Sequence, residues 1–528
     1  MSLKNRRSLF LTLAAATLLA LPFSTLAVEP VLPAPAPAAV ESIQPNELKA
    51  NLMFLSSKEL GGRYTLSPGF AIAARYLATR LQSYGYAGAG KDGSYFQTFD
   101  LINARVLPDT AQLTLNSGSE TRTYKYGDFF NSASVAADVD APVVFAGYGI
   151  SSKKLEHDDY AGLDVKGKIV LILGSGTPKG IDPSMLGDDE ETVGAAKAHG
   201  AVAVFYLPRQ YDLGAMKRDS YRDRSLETVR LAAATSKIPA VRLNEDTAND
   251  FLKPFGVKVK DLHSLAKEGK PIEPKTTGLK AALKLSVETK VEASQNVVGW
   301  LPGTDKSLRE EYVSISAHYD HLRTNSKGEY YPGADDDGSG TVAVLNIARS
   351  MAMDPPKRSV LIIFHAGEEL GLLGSEYNAD FAPVRPLEKM VANFNIDMVG
   401  RSKRTGDSNA RNQQMTAADT IYVIGADRTS KELHKLNEQT NQDFEKIRFD
   451  YLLNNPSHPD QIFFRSDHWN YGKHGVPFIF YFDGVGEDYH QPSDTEDKID
   501  YEKLTRVSRL VFQVSWRVAS LDHRIAAN

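Results

Sequence analysis

From about Val291 onward, apolar segments typical of strands alternate with helical segments, and this alternation limits the possible folds most strongly. Strands are predicted over 312–316, 360–364, 391–395 and 477–482, with a helix over 340–352. Such alternation is typical of an open α/β sheet with parallel strands. We therefore predict an α/β fold whose open, doubly wound, mostly parallel sheet carries helices on both faces.

Ionisable side chains follow each of these four strands. In chain order they are His318, Asp320 and His321, then His365, Glu368 and Glu369, then Asp397, and finally Glu487, Asp488 and His490. A Gly-rich turn over 333–340 adds Asp335, Asp336 and Asp337. Ligands of open α/β sheets bind beyond the carboxyl ends of the strands. We therefore expect these side chains to meet at one rim.

Two histidines and three carboxylates are a plausible ligand set for two divalent metal ions that share one carboxylate. The neighbours Glu368 and Glu369 could have different roles, one as a metal ligand and the other as the general base that takes a proton from water. The chain contains no cysteine, so thiolate zinc sites, thiolate nucleophiles and disulfides are excluded. Each element alone also has an ordinary interpretation, since the aspartates could form a charged turn and the glutamates could cap a helix.

The ordered motifs HYDH (318–321), GADDDGSG (333–340), GEELGLLGS (367–375), NIDMVG (395–400) and EDYHQPSDT (487–495) resemble the M28 family of zinc peptidases, mostly aminopeptidases. The resemblance extends to 296–304, 59–63 and 94–99. Segments 144–149, 164–173 and 238–241 resemble a protease-associated (PA) domain. The resemblance therefore covers nearly the whole chain after residue 41.

This resemblance implies a role for each matching residue. His318 and Asp397 would complete one zinc site, Glu369 and His490 the other, and Asp336 would bridge the two Zn²⁺ ions. Glu368 would be the general base, Asp320 would orient His318, and Tyr489 would hydrogen-bond the oxyanion. The implied function is an aminopeptidase that hydrolyses peptides or small proteins with a water bridged by two zinc ions.

Three alternatives share this fold. A carboxypeptidase or dipeptidase would keep the same metal ligands. These enzymes differ from an aminopeptidase in the groups that bind the free amine or carboxylate of the substrate. A non-catalytic, receptor-like binding protein would be expected to lack a ligand, whereas all five and Glu368 are present. A glutaminyl-cyclase-like enzyme would need a single zinc, and the complete five-ligand set favours two.

Residues 1–27 have the pattern of a signal peptide. Lys4, Arg6 and Arg7 precede an uncharged apolar run of 13 residues, 9–21, and small residues suit cleavage after Ala27. The run is shorter than the roughly 20 residues that span a bilayer. We expect an exported protein, periplasmic or secreted, without a stable membrane span after cleavage.

The predicted organisation after the signal peptide has four parts. Residues 28–41, rich in Pro and Ala, should be a stiff, extended linker outside any core. Residues 42–105 would begin the catalytic domain, 106–288 would be the inserted β-rich PA domain, and 289–528 would complete the catalytic domain. The net charge of −5 gives no support for nucleic acid as a partner.

Several other residues near these motifs have lesser expected roles. His321 is expected outside the set of metal ligands, and His365 could pack or line the pocket. The segment 465–468 is expected to make structural hydrogen bonds, while His458 and His474 are expected to be ordinary loop residues. A helix is predicted over 67–84, with Ser67 as its N-cap and Gly85 as its stop.

Overall fold

The computed structural model describes residues 32–118, 120–132, 135–181, 189–209, 226–234, 238–325 and 327–528. The predicted signal peptide and its cleavage site lie outside these residues. All the elements named here belong to one unit, Ala34–Asn528. Among the described residues, no helix combines the length and apolar character that crossing a bilayer requires.

The helices are α1 (Pro37–Glu41), α2 (Pro45–Leu55), α3 (Pro68–Ser83), α4 (Asp189–Ala198), α5 (Glu245–Leu252), α6 (Val259–Lys267), α7 (Gly340–Met353), α8 (Leu373–Glu376), α9 (Ala426–Thr429), α10 (Lys431–Asp443), α11 (His468–Gly472) and α12 (Tyr501–Ser520). The strands of the first half are β1 (Ala87–Gly88), β2 (Phe96–Val106), β3 (Gln112–Ser117), β4 (Glu120–Lys125), β5 (Phe129–Asn131), β6 (Ala137–Phe145), β7 (Ser151–Ser152), β8 (His157–Asp158), β9 (Ile169–Ile172), β10 (Ala203–Tyr206), β11 (Glu227–Leu231) and β12 (Ala240–Leu243). Those of the second half are β13 (Lys275–Leu285), β14 (Val287–Leu301), β15 (Tyr312–His318), β16 (Ser359–His365), β17 (Met390–Ile396), β18 (Thr420–Ile424), β19 (Arg448–Asp450) and β20 (Phe478–Phe482).

The larger sheet has ten strands in the order β11-β2-β14-β16-β15-β17-β20-β18-β19, and β1 also pairs with β14. The four central strands, β16, β15, β17 and β20, run parallel to one another. Every residue of β15, β16 and β17 is buried, as expected for strands covered on both faces. The four strands predicted from the sequence are these four, and their positions are confirmed.

The flanks of the larger sheet differ from the prediction of a mostly parallel sheet. Strands β11, β2 and β14 are antiparallel to their neighbours, and β18 is antiparallel to β20. The prediction is therefore correct for the centre and wrong for the flanks, and the sheet is mixed. The prediction failed at the flanks because apolar patterns do not reveal the direction in which strands pair. Strands β2 and β14, for example, pair antiparallel along their length although the second sheet separates them in sequence.

A second sheet of eight strands lies between residues 112 and 285, in the order β4-β3-β13-β6-β9-β10-β12-β5. Its central strands β9, β10 and β12 are buried throughout. Strand β11, although it lies inside the predicted insertion, pairs with β2 in the larger sheet. The segment 106–288 is thus connected to the larger sheet by more than its two ends.

The predicted helix near residue 67 is confirmed as α3. Ser67 Oγ accepts a hydrogen bond from the backbone N–H of Phe70, and Pro68 occupies the first helical position, where its missing N–H costs nothing. The helix packs against β14. A Cβ at Gly299 of β14 would lie 2.9 Å from Leu81 Cδ1, so a larger residue there would displace the Leu81 side chain.

The Pro/Ala segment is not extended throughout, which contradicts the prediction for residues 28–41. Residues 37–41 form α1, which begins with a proline and packs against α7 and α12. Ala39 is buried, because its small side chain allows close packing against these helices. Proline at the first turn favours a helix, and Pro/Ala composition alone predicted only an extended chain.

Candidate metal centre

The predicted side chains meet at one edge of the larger sheet. His318 is the last residue of β15, and its neighbour in the register is His365, the last residue of β16. Glu368 and Glu369 follow β16, and Asp397 directly follows β17. Because β16, β15, β17 and β20 are parallel, their carboxyl ends lie at the same edge of the sheet.

Asp336 lies in an irregular helical turn, Ala334–Ser339, that leads into α7. The preceding Gly333 has a φ of 56°, and a Cβ there would lie 2.4 Å from the backbone oxygen of Asp336 and 2.6 Å from the His321 ring. The carboxylate of Asp494 accepts the backbone N–H groups of Asp335 and Asp336 at 3.0–3.2 Å. These contacts fix the turn, so that the Asp336 side chain is 5% exposed and faces the strand ends.

The two carboxylate oxygens of Asp336 face different histidines. Oδ1 lies 3.3 Å from His318 Nε2, which is also 3.5 Å from Asp397 Oδ1. Oδ2 lies 3.2 Å from His490 Nε2, which is also 3.1 Å from Glu369 Oε2. The five predicted ligand residues therefore form two groups that share Asp336, as expected for a carboxylate that bridges two cations.

Several atoms of this cluster are buried and make no well-aligned hydrogen bond among the described residues, although His321 Nδ1 and Glu369 Oε1 lie 2.6 Å apart. They are His318 Nε2, both ring nitrogens of His321, Asp336 Oδ2 and Glu369 Oε1. Buried polar atoms are normally paired, because an unpaired one loses its contacts with water. Imidazole nitrogens and carboxylate oxygens are zinc ligands, so the residues present fit a site for two zinc ions.

The pKa values of the cluster reflect its crowding. Burial raises the pKa of Glu368 well above its usual range, the carboxylates of Asp397 and Glu369 act in the same direction, and His318 opposes them. Burial lowers the pKa of His490, but Glu369 and Asp336 outweigh this effect and raise it to about 10. A metal ion would compete with a proton for the imidazole, so acid should weaken metal binding.

Asp337 lies beside the cluster but has a different role from Asp336. Its Oδ1 accepts the backbone N–H groups of Gly340 and Met398 at 2.9 and 3.2 Å. Its Oδ2 accepts the backbone N–H of His318 at 3.2 Å. The geometry also permits a metal group of His318, Asp337 and Asp397, but these three hydrogen bonds already satisfy the Asp337 carboxylate. Asp337 therefore connects the ends of β15, β17 and α7.

His321 lies closer to the cluster than its expected place outside the ligand set suggests. Its Nδ1 is 2.6 Å from Glu369 Oε1 and 3.8 Å from Asp336 Oδ2. His321, Asp336 and Glu369 together form a group that could hold a metal ion. His490 contacts the same two carboxylates at 3.1–3.2 Å, so both histidines border the second position.

Asp320 contacts more than His318. Its Oδ1 is 3.8 Å from His318 Nδ1, whereas the backbone oxygen of Asp320 is only 3.1 Å from that nitrogen. The carboxylate accepts the backbone N–H of Glu368 at 3.2 Å and the hydroxyl of Thr65 at 2.9 Å. The Thr65 hydroxyl in turn accepts the backbone N–H of Gly367 at 3.1 Å. Asp320 and Thr65 thus connect the ends of β15 and β16.

Thr65→Val is expected to lower the free energy of unfolding by about 1–3 kcal/mol, because Asp320 Oδ2 and the Gly367 N–H would lose their shared partner in a buried site. Valine has nearly the same shape as threonine, so packing is retained. Thr65→Ser is the matched control, since it keeps the hydroxyl. Equal stability of the two variants in denaturant unfolding would contradict this role for the hydroxyl.

Two further residues position the cluster, and one of them, Ser466, confirms the structural hydrogen bonds expected of the segment 465–468. Ser466 donates a hydrogen bond to Asp397 Oδ2 at 2.7 Å and accepts one from Asn395 Nδ2 at 2.8 Å. The buried guanidinium group of Arg63 donates to the backbone oxygens of Tyr319, Pro332 and Gly333 at 2.8–2.9 Å. No local sequence signal identifies Thr65, because its role depends on partners distant in the chain.

Glu368 and Tyr489 face a cavity beside the cluster. The cavity is also lined by Asp336, Asp397 and Arg465 and by an apolar wall of Met398, Ile462, Phe480, Phe482 and Val485. The Tyr489 ring stacks on His490 with 3.8 Å between ring centroids, and its hydroxyl oxygen accepts a hydrogen bond from Arg465 Nη2 at 3.3 Å. Carboxylates, a hydroxyl group and an apolar pocket therefore converge at one place.

The remaining candidate histidines lie away from this cavity lining. His365 packs in the interior, where its Nε2 is 3.3 Å from the Tyr471 hydroxyl and burial lowers its pKa to about 3. His474 contacts Asp380, and His458 lies 3.6 Å from Asp460. These contacts agree with structural roles for all three.

Comparison with known proteins gives three findings. The model of peptidase family M28 matches residues 296–515, which include all five predicted metal ligands. Aminopeptidase YwaD of Bacillus subtilis is 30% identical over 45% of this chain and 48% of its own length. A probable leucine aminopeptidase of Arthroderma otae is 28% identical over 40% and 55%. The chain thus spans about half the length of these curated relatives.

One solved structure shares the architecture over nearly the whole chain. The aminopeptidase from Aneurinibacillus sp. strain AM-1 has a TM-score of 0.54 and 20% identity, and the match covers 93% of this chain and 97% of that one. At this identity the likeness shows the fold alone. It extends beyond 296–515 and so includes the second sheet.

Proposed function

We propose that this protein is an exported zinc aminopeptidase of the M28 family that removes N-terminal residues from peptides, since the model of that family matches its residues 296–515. The observation that carries the proposal is the position of Asp336 between two histidine–carboxylate groups, at 3.2–3.3 Å from His318 and His490. We propose that Asp336 bridges two zinc ions, His318 and Asp397 complete one site, and Glu369 and His490 complete the other.

Bound zinc ions would act as Lewis acids on the attacking water and on the scissile carbonyl group. Glu368 lines the cavity, and its Oε2 lies 3.8 Å from His318 Nε2, outside the pairs that Asp336 connects. It can therefore accept the proton of the attacking water and donate it to the leaving amine. Asp320 supports this step by holding the backbone N–H of Glu368 at 3.2 Å.

Tyr489 is suited to stabilise the oxyanion. Arg465 donates to its hydroxyl oxygen, so the hydroxyl proton can point into the cavity and donate to the developing charge. The apolar wall of Met398, Ile462, Phe480, Phe482 and Val485 would receive the side chain of the N-terminal residue. We therefore expect apolar N-terminal residues to be preferred.

The proposed cleavage direction rests on the charged groups of the cavity. Glu368, which is not among the proposed metal ligands, would attract the positive α-ammonium group of an N-terminus, and the single cation among the described lining residues, Arg465, lies beside Tyr489. The relatives named aminopeptidases support the same direction. A receptor-like role is less favoured, because all five ligand side chains and Glu368 are in place.

Two wider features belong to the same proposal. The charged and apolar pattern of residues 1–27 supports export to the periplasm or the medium. The second sheet, between residues 112 and 285, would be a PA-type module inserted into the peptidase. Peptides and small proteins would be the substrates.

The proposal is tested by metal content and by a panel of anilide substrates. We expect about two zinc ions per chain and hydrolysis of leucine anilide, with little hydrolysis of N-acetyl-leucine anilide, because acylation removes the α-ammonium group. Glutamate anilide should be a poor substrate, since its carboxylate would have to enter the apolar pocket. Equal hydrolysis of free and acylated leucine anilide would contradict an aminopeptidase, and an active metal-free protein would contradict the mechanism.

A further inference from the structure

The cavity that contains Glu368 and Tyr489 has a cation at its rim whose purpose the hydrolytic chemistry does not explain. Among the described residues that line this cavity, Arg465 is the single cation, facing a set that includes three carboxylates. Arg465 is exposed and follows a short turn, Ile462–Phe464, whose Ile462 belongs to the apolar wall. The pocket and the arginine are therefore positioned by the same segment.

Two contacts hold the guanidinium group at this rim. Nη1 donates to the backbone oxygen of Asp460 at 3.4 Å, and Nη2 donates to the Tyr489 hydroxyl oxygen at 3.3 Å. The second contact places the positive charge beside the group proposed to hold the oxyanion. Arg465 therefore lies near the part of a substrate that follows the scissile bond.

The hydrogen-bond length to Tyr489 and the residue spacing of the substrate indicate which substrate group lies near Arg465. The oxyanion would lie about 2.7 Å from the Tyr489 hydroxyl oxygen. The next backbone carbonyl carbon of the substrate lies within one residue of the scissile one, a spacing of ~3.8 Å between consecutive Cα atoms. In a dipeptide that carbon carries the free carboxylate, and in a longer peptide it carries a neutral amide.

We propose that Arg465 binds the free carboxylate of a dipeptide, so that dipeptides with an apolar N-terminal residue are the preferred substrate class. The inference rests on the proposed aminopeptidase function and adds that the enzyme recognises the free carboxylate of the second residue. Arginine suits this task because its planar group binds carboxylates through two parallel hydrogen bonds. A neutral amide at the same place would accept a weaker, uncharged hydrogen bond.

The test compares leucyl-glycine with leucyl-glycinamide, which differ only in the charge of the terminal group. The zinc-loaded enzyme is expected to favour the free acid by about tenfold in kcat/KM, the size of one charge-assisted contact. Arg465→Met should reduce this ratio to about one, mainly by raising KM for the free acid. Arg465→Lys should keep part of the preference, because it retains the charge without the planar geometry.

Arg309→Met is the matched control, because Arg309 is exposed and lies outside the cavity lining. It should leave the ratio unchanged, which separates local binding from a general loss of positive charge. A wild-type ratio of one would overturn the inference while leaving the aminopeptidase proposal in place. An equal loss on both substrates in Arg465→Met would also overturn it, since Arg465 would then act through Tyr489. A zinc-loaded enzyme that cleaves neither dipeptide nor leucine anilide would overturn both proposals.

Discussion

Glu368→Gln is expected to lower kcat by roughly 10²–10⁴-fold, the usual contribution of a general base, while both zinc ions stay bound. The amide of glutamine has the shape of the carboxylate but cannot accept a proton from water. Its backbone N–H would still be held by Asp320, so the position of the side chain is retained. Steady-state kinetics with leucine anilide, together with zinc analysis of the same sample, measures both halves of the prediction.

Glu388→Gln is a suitable control for this variant, because Glu388 is exposed and lies outside the cavity lining. It should retain wild-type kcat. Near-normal turnover in Glu368→Gln would remove Glu368 from the proton transfer. Loss of zinc in Glu368→Gln would instead make Glu368 a ligand, which would contradict the division of roles between Glu368 and Glu369.

Asp336→Asn is expected to abolish activity and to lower the zinc content, because a neutral amide is a poor bridge between two cations. The wild-type protein should lose stability when a chelator removes zinc. A ligand bound to the folded state contributes about 4 kcal/mol per site when its free concentration is about 1,000 times its Kd. Denaturant unfolding with and without chelator should therefore show a large difference for the wild type and a small one for Asp336→Asn.

Asp337→Asn provides the comparison within the same turn. Asp337 accepts three backbone N–H groups, and an amide can satisfy them only in part because its NH₂ group is itself a donor. This variant should lose stability even in the presence of chelator. Asp336→Asn should also lose some stability in chelator, because the ion pairs of Asp336 with His318 and His490 are removed, but this loss should be smaller than the loss with zinc bound. An equal loss with zinc and with chelator would contradict the bridging role.

The rim of the sheet was predictable because it depends on local patterns. Each of β15, β16, β17 and β20 is rich in apolar residues, and such segments in an alternating α/β sequence become buried parallel strands. Their polar successors, His318, Glu369 and Asp397, then have to meet at the same edge. Which of the adjacent aspartates would bridge came only from the family resemblance, because Asp336 and Asp337 are chemically identical.

Other features could not be predicted because they depend on partners far away in the chain. The antiparallel pairing of β2 with β14, the addition of β11 to the larger sheet, and the helix α1 in the Pro/Ala segment all depend on tertiary packing. Thr65 likewise has its role from contacts with Asp320 and Gly367, both more than 250 residues distant. No local periodicity carries this information.

The sequence by itself limited the candidate metal ligands of this protein: without cysteine, His, Asp and Glu remain to bind zinc, and apolar-rich segments predict them at strand ends. The tertiary structure alone decided how these groups are used. It directs the two oxygens of Asp336 to different histidines, satisfies Asp337 with backbone N–H groups, and sets Arg465 beside Tyr489. The physical reason is that ligand type is a property of single residues, whereas distance and hydrogen-bond competition arise only when distant segments pack together.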